Sequence, residues 1–64
     1  MQMNTLDMLK KKLLDAQEMV RDYEMFSKKT DDEEVVNTFK KFAEESGMQA
    51  RKLQSIVDKH EGFK

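Results

Sequence analysis

The sequence predicts an all-α fold in which two helices pack as an antiparallel hairpin. Charged residues make up 39% of the 64 residues and hydrophobic ones 38%, with no proline and two glycines. This composition is typical of long helices that face water rather than of a sheet. Apolar residues also recur at alternating intervals of three and four along two stretches, the pattern of helices with one buried face. Signals that end one helix and begin another separate the two stretches.

The first helix is predicted over about residues 5–28. Asn4 suits the N-cap, because its side chain can accept a hydrogen bond from a free backbone N–H, and Asp7 follows in the first turn. Thr5 is the alternative cap. The apolar stripe of this helix consists of Leu6, Leu9, Leu13, Ala16, Val20 and Tyr23. Met19 and Phe26 widen the stripe on one side.

The turn is predicted within residues 30–36. Thr30 and Glu33 have the spacing of a capping box, in which each side chain accepts a backbone N–H of the other residue. Asp31 is an alternative cap. The acidic run suits the positive N-terminal end of a helix dipole. A loop this short makes the two helices antiparallel neighbours.

The second helix is predicted over about residues 32–60. Its main apolar stripe consists of Val36, Phe39, Ala43, Ser46, Ala50, Leu53, Val57 and His60. A second row beside the stripe consists of Val35, Phe42, Gln49 and Ile56. Gly62 fits the left-handed position that ends a helix, with Phe63 folding back. Gly47 is either a tolerated surface glycine, a point of close helix approach or a functional kink, since glycine inside a helix costs stability.

The apolar face of the second helix is too broad for a partner helix to cover. A monomeric hairpin would expose a contiguous apolar patch, and such patches usually mark interfaces. We therefore expect two hairpins to form a twofold dimer with a four-helix bundle fold. The residues predicted at this interface are Leu13, Val20, Tyr23, Phe39, Phe42, Gln49, Leu53 and Ile56.

Composition limits the classes of function. At 64 residues the chain is predicted to be a single domain, residues 1–64. The net charge of −1 and the lack of a basic patch argue against nucleic-acid binding. No stretch approaches the ~20 apolar residues that span a bilayer, and no secretory signal is visible. We expect no membrane association and a cytoplasmic protein. The absence of cysteine excludes disulfides.

Candidate catalytic and metal-binding residues are few. The single histidine, His60, lies at the end of the second helix and is expected to interact with the helix dipole, so no nucleophilic triad is available. Gln17 and Gln49 are expected to form an amide pair that fixes register. An alternative is a di-metal carboxylate site that Glu24 and Glu45 would build across a dimer. We favour no catalytic, cofactor or metal site.

The stretch from Phe42 to Leu53, together with the turn before it, resembles the ligand-bearing helix of rubrerythrin and related ferritin-like proteins. The segment from Ala16 to Asp31 is similar to short helical proteins of spore-forming bacteria, and the spore-coat branch of the superfamily looks related. The resemblance implies half of a ferritin-like four-helix bundle. Its di-iron chemistry does not carry over, because Gln49 stands where the family has histidine and Ser46 where it has glutamate.

These observations predict a small protein without enzymatic activity that self-associates and has a structural or protein-interaction role. The resemblance implies a role related to sporulation. The alternative function is an iron-binding or oxidoreductase protein of the ferritin and rubrerythrin type, assembled across a dimer. A third reading is an adaptor whose hairpin joins the helices of another protein.

Overall fold

The computed structural model describes residues 2–62 and contains two α-helices, α1 (Thr5–Ser27) and α2 (Glu33–His60). Residues 28–32 form the loop between them. The helices pack against each other in antiparallel directions, since Tyr23 near the end of α1 contacts Phe39 near the start of α2. The predicted all-α hairpin is therefore confirmed, with helix bounds within one residue of those expected.

The start of α1 follows the sequence prediction. The backbone N–H of Asp7 donates to Asn4 Oδ1 at 2.8 Å, and the N–H of Asn4 donates back to Asp7 Oδ2 at 3.4 Å. This reciprocal pair is a capping box, which satisfies two backbone donors that the first helical turn leaves free. Asn4 is confirmed as the N-cap.

The capping box predicted for Thr30 and Glu33 is wrong. Asp32 is the N-cap of α2, and its Oδ1 accepts the N–H of Val35 at 3.2 Å. The Thr30 hydroxyl instead accepts the N–H of Asp32 at 3.2 Å. A threonine hydroxyl can close such a local turn as readily as it caps a helix. Thr30 therefore shapes the loop, and α2 begins after the aspartate.

The end of α2 was predicted correctly. Gly62 has a φ of +79°, in the left-handed region, and its N–H donates to the Lys59 carbonyl oxygen at 3.3 Å. A residue with a Cβ adopts this conformation only with strain, which accounts for glycine at this position. The predicted contact of Phe63 lies outside the described residues.

The strip along which the side chains of the two helices touch, which we call the seam, is narrow. Among residues 2–62, four hydrophobic side chains are buried, namely Leu13, Ala16, Ala43 and Val57. Two of them are alanines, and no large side chain in the described part of the chain is fully buried. Tyr23 adds an aromatic cluster, with its ring centroid 5.5 Å from that of Phe39 and 5.4 Å from that of Phe42.

Gly47 faces α1 without a close backbone approach. A Cβ built on Gly47 would lie 4.0 Å from Val20 Cγ2 and 3.8 Å from Arg51 Nη1, which are ordinary van der Waals distances. The local packing therefore leaves room for a methyl group. Of the three readings of this glycine, the tolerated one fits the structure and the close approach does not.

Replacement by alanine should have opposite effects on stability at the two glycines. Gly47→Ala should stabilise the fold by about 0.5–1 kcal/mol, because alanine loses less backbone entropy on entering a helix. Gly62→Ala should destabilise it by about 1–2 kcal/mol, because the backbone of Gly62 is left-handed and strains a residue that has a Cβ. Thermal unfolding followed by circular dichroism at one fixed protein concentration measures both. Equal shifts of the same sign would contradict this assignment.

Substitutions in the loop test which side chain caps α2. Asp32→Ala should cost about 1 kcal/mol, because it leaves the Val35 N–H without its cap. Thr30→Ala should cost less than half of that, because its hydroxyl closes only the preceding turn. Urea unfolding of both variants gives the two free energies. A larger loss for Thr30→Ala would restore the capping box predicted from the sequence.

Candidate interaction surface

One side of the hairpin carries a continuous row of mostly apolar side chains, which we call the apolar flank. Each of its residues stands one position before a residue of the seam, so all of them lie on the same side of the two antiparallel helices. The apolar flank consists of Lys12, Met19, Phe26, Val35, Phe42, Gln49 and Ile56. It runs along most of the length of the hairpin.

The largest side chains of the apolar flank remain open to water. Met19 is 47% exposed, Phe26 45% and Phe42 39%, while Val35 and Ile56 are half-buried. The ring of Phe42 also meets the edge of Tyr23 at a centroid distance of 5.4 Å. One side of the Phe42 ring therefore packs against Tyr23 of the seam, and the exposed part of the ring is available for a further contact.

The opposite side of the seam holds a shallow groove with charged residues along its border, which we call the polar groove. Val20, Ala43, Gly47 and Met48 line it together with charged side chains of both helices. These charged residues are Glu24, Lys28, Lys40, Glu44 and Arg51. Farther along the hairpin, Lys10 Nζ and Glu61 Oε2 form an ion pair at 2.6 Å. This side therefore differs from the apolar flank in carrying charges of both signs.

The total surface is large for a chain of this mass. The chain exposes 5316 Å², whereas a folded monomer of 7.6 kDa is expected to expose about 4,300 Å². The hairpin therefore shows roughly 1,000 Å² more surface than a monomeric protein of its mass. A standard protein–protein interface removes about 800 Å² from each partner. The excess is thus of the size that one such interface covers.

The structure divides the predicted interface residues into two groups. Leu13 is buried in the seam, and four others are half-buried along the seam: Val20, Tyr23, Phe39 and Leu53. Phe42, Gln49 and Ile56 lie on the apolar flank. Met19 and Phe26 are not among the predicted interface residues, although their position one residue before the seam places them on the same side as Phe42.

The predicted amide pair of Gln17 and Gln49 is wrong. Gln17 follows Leu13 by four residues, a position on the polar side of the seam, whereas Gln49 lies exposed on the apolar flank. No hydrogen bond joins the two side chains. The sequence pattern placed both residues near the apolar face but did not show on which side of the seam each would lie.

The carboxylates considered as metal ligands lie apart. Glu24 lines the polar groove together with Glu44. Glu45 stands two positions after Ala43, on the side of the apolar flank. Within residues 2–62, no group of three or more histidine, aspartate or glutamate side chains is arranged to hold a metal ion.

Asp15 forms ion pairs with two lysines of its own helix. Lys11 Nζ donates to Asp15 Oδ2 at 3.1 Å and Lys12 Nζ at 3.3 Å. The hydrogen bond from Lys11, followed by that from Lys12, lowers the pKa of Asp15 below its ordinary value. Because these pairs are exposed, each contributes little to stability.

Neither helix in the described range is long and apolar enough to cross a bilayer. No protein-family model, curated protein or solved structure matches the chain. The resemblance to ferritin-like proteins therefore stays a prediction, and the surface of the hairpin itself carries the functional argument.

Proposed function

We propose that this protein is a small self-associating helical protein with a structural or protein-interaction role and no catalytic chemistry of its own. Two copies bury their apolar flanks against each other and form a four-helix bundle. The observation that carries this proposal is the exposure of Met19, Phe26 and Phe42 on one continuous flank.

The area of the exposed surface supports a second copy as the partner. A face-to-face dimer would cover the apolar flank of both chains at once, and a standard interface of about 800 Å² per chain is of the same order as the excess surface. The contact would also turn the narrow seam into one wall of a wider core. Small chains without disulfides commonly gain stability in this way.

Other exposed apolar residues do not form a competing face. The other exposed large apolar residues are Met3, Met8, Leu14, Met25 and Met48, and none of them is among the residues of the apolar flank. Scattered surface hydrophobes of this kind are normal and need no partner. The apolar flank differs because its members follow one another along both helices.

A matched pair of methionine substitutions tests the proposal. Met19→Lys should abolish association at micromolar concentration, because it places a charge in the centre of the buried flank. The same change should favour the α1 helix itself, since Asp15 and Asp22 lie four and three residues away. Sedimentation equilibrium should report the mass of a single chain for this variant and twice that mass for the unsubstituted protein.

Met48→Lys is the control, because Met48 is 62% exposed and lies off the apolar flank. It should leave association unchanged. Phe42→Asp should also prevent association, and it should lower helicity, because Phe42 contacts Tyr23. An unsubstituted protein that is a folded single chain, or equal effects of Met19→Lys and Met48→Lys, would refute the proposal.

A further inference from the structure

The large apolar side chains of the apolar flank lie in one half of the hairpin. Met19 and Phe26 belong to the second half of α1, and Val35 and Phe42 belong to the first half of α2. Because the two helices run in opposite directions, all four residues lie toward the loop. We call them the loop half of the flank. It contains the three large side chains of the flank that are exposed, namely Met19, Phe26 and Phe42.

The remainder of the flank, which we call the far half, is more polar. It consists of Lys12, Gln49 and Ile56. Lys12 and Gln49 are exposed, and Ile56 is half-buried. The ammonium of Lys12 is paired with Asp15 of its own helix, with Nζ 3.3 Å from Oδ2. The flank of one chain is therefore strongly apolar near the loop and largely polar away from it.

The charged side chains of the helices that border the flank do not select an orientation. They are Asp15 and Asp22 on α1, and Glu45, Lys52 and Lys59 on α2. With both loops at the same end, Asp22 faces the partner's Glu45, whereas Asp15 faces the partner's Lys52. With the loops at opposite ends, Asp22 faces the partner's Asp15, whereas Glu45 faces the partner's Lys52. Lys59 comes level with an uncharged residue in both arrangements. Repulsion and attraction therefore balance in each arrangement, and exposed pairs of this kind contribute little.

An opposite-end dimer matches the apolar surfaces poorly. When the two flanks overlap fully, the loop half of each chain lies against the far half of the other. The rings of Phe26 and Phe42 then meet the partner's Lys12 and the partner's Ile56. Sliding the chains until the two loop halves meet leaves both far halves uncovered, so the contact covers a shorter part of the flank and leaves more of the excess surface exposed.

A same-end dimer brings the two loop halves together while the flanks overlap along their whole length. Each α1 then lies over the partner's α2, so Phe26 comes against the partner's Val35 and Met19 against the partner's Phe42. Eight apolar side chains, four from each chain, form one continuous cluster. Because the free energy of burial grows with the apolar area removed from water, this arrangement is favoured.

We propose that the second copy docks with its loop at the same end, so that the twofold axis runs along the hairpins and the two loop halves form the centre of the contact. This inference rests on the proposed function and adds the orientation of the partner. It also accounts for the polar far half. There the carbon chain of Lys12 covers the partner's Ile56 while its ammonium stays beside Asp15 at the edge of the bundle.

Distances at both ends of the hairpin test this orientation. The chain contains no cysteine, so Asp31→Cys and Lys59→Cys each provide a single spin-label site in the full-length protein. One site lies in the loop and the other near the far end of α2. About 28 residues separate them, which is roughly 40 Å at ~1.5 Å per residue.

Pulsed dipolar spectroscopy on each labelled dimer should give two short distances. In the same-end dimer each label lies level with its own copy, so both distances should stay below about 30 Å, because packed helices are about 10 Å apart. In any opposite-end dimer the two separations along the bundle add up to about 80 Å, however far the chains slide, so at least one of them is about 40 Å or longer.

These outcomes separate the two proposals. A protein of dimeric mass in which either distance is about 40 Å or longer would overturn the orientation and leave the proposed self-association standing. A protein of single-chain mass with no dipolar signal would overturn both.

A charge reversal beside the flank gives an independent test. Glu45→Lys should lower the dimer dissociation constant about three- to tenfold, because it replaces two repulsive contacts with the partner's Asp22 by attractive ones. In a fully overlapping opposite-end dimer the same change would raise the dissociation constant, because it removes the pair with the partner's Lys52.

Glu44→Lys is the matched control. Glu44 follows Lys40 by four residues, as Glu45 follows Lys41, so both changes place two lysines on neighbouring turns of α2. Glu44 lines the polar groove, outside the proposed contact. Its replacement should leave the dissociation constant within about twofold. A dissociation constant that Glu45→Lys raises or leaves unchanged would overturn the proposed orientation.

Discussion

Two helices can bury only the strip along which they touch, and this limit governs the rest of the molecule. The seam of the hairpin buries four hydrophobic side chains in the described range, two of them alanines. The sequence supplies apolar residues over a wider arc than the seam can take. Several of the apolar side chains that the seam does not cover, among them Met19, Phe26 and Phe42, lie exposed on one flank.

The aromatic cluster links folding of the hairpin to its assembly. Tyr23 belongs to the seam and contacts both Phe39 and Phe42, and Phe42 in turn forms the centre of the exposed apolar flank. A contact on the outer side of Phe42 would therefore also restrain Tyr23 and the register of α1 against α2. For a chain of this size, association and stability are expected to be inseparable.

Much of the fold was predictable because the signals for it are local. The three-and-four spacing defines both helices, and Asn4 and Gly62 mark two of the ends as expected. The residue that caps α2 was harder to predict, because Thr30, Asp31 and Asp32 are adjacent oxygen acceptors whose capping energies differ little. Tertiary geometry selected Asp32 and assigned the Thr30 hydroxyl to the loop.

The surface was less predictable than the fold. The spacing of Gln17 and Gln49 shows that they lie near the helix contact, but their side of the seam depends on how the two helices are rotated against each other. A difference of one position moves a helical residue by about 100° and thus from one flank to the other. The same rotation explains why Met19 and Phe26 belong to the candidate surface although the main stripe omits them.

Thermal unfolding over a range of protein concentrations tests the central claim most directly. If a single hairpin is not stable alone and its apolar flank must be covered by a second copy, the unfolding midpoint should depend on protein concentration. The midpoint measured by circular dichroism should then rise steadily as the concentration is increased a hundredfold. A midpoint that stays constant over that range, in a helical protein that sediments as a 7.6 kDa chain, would contradict the account.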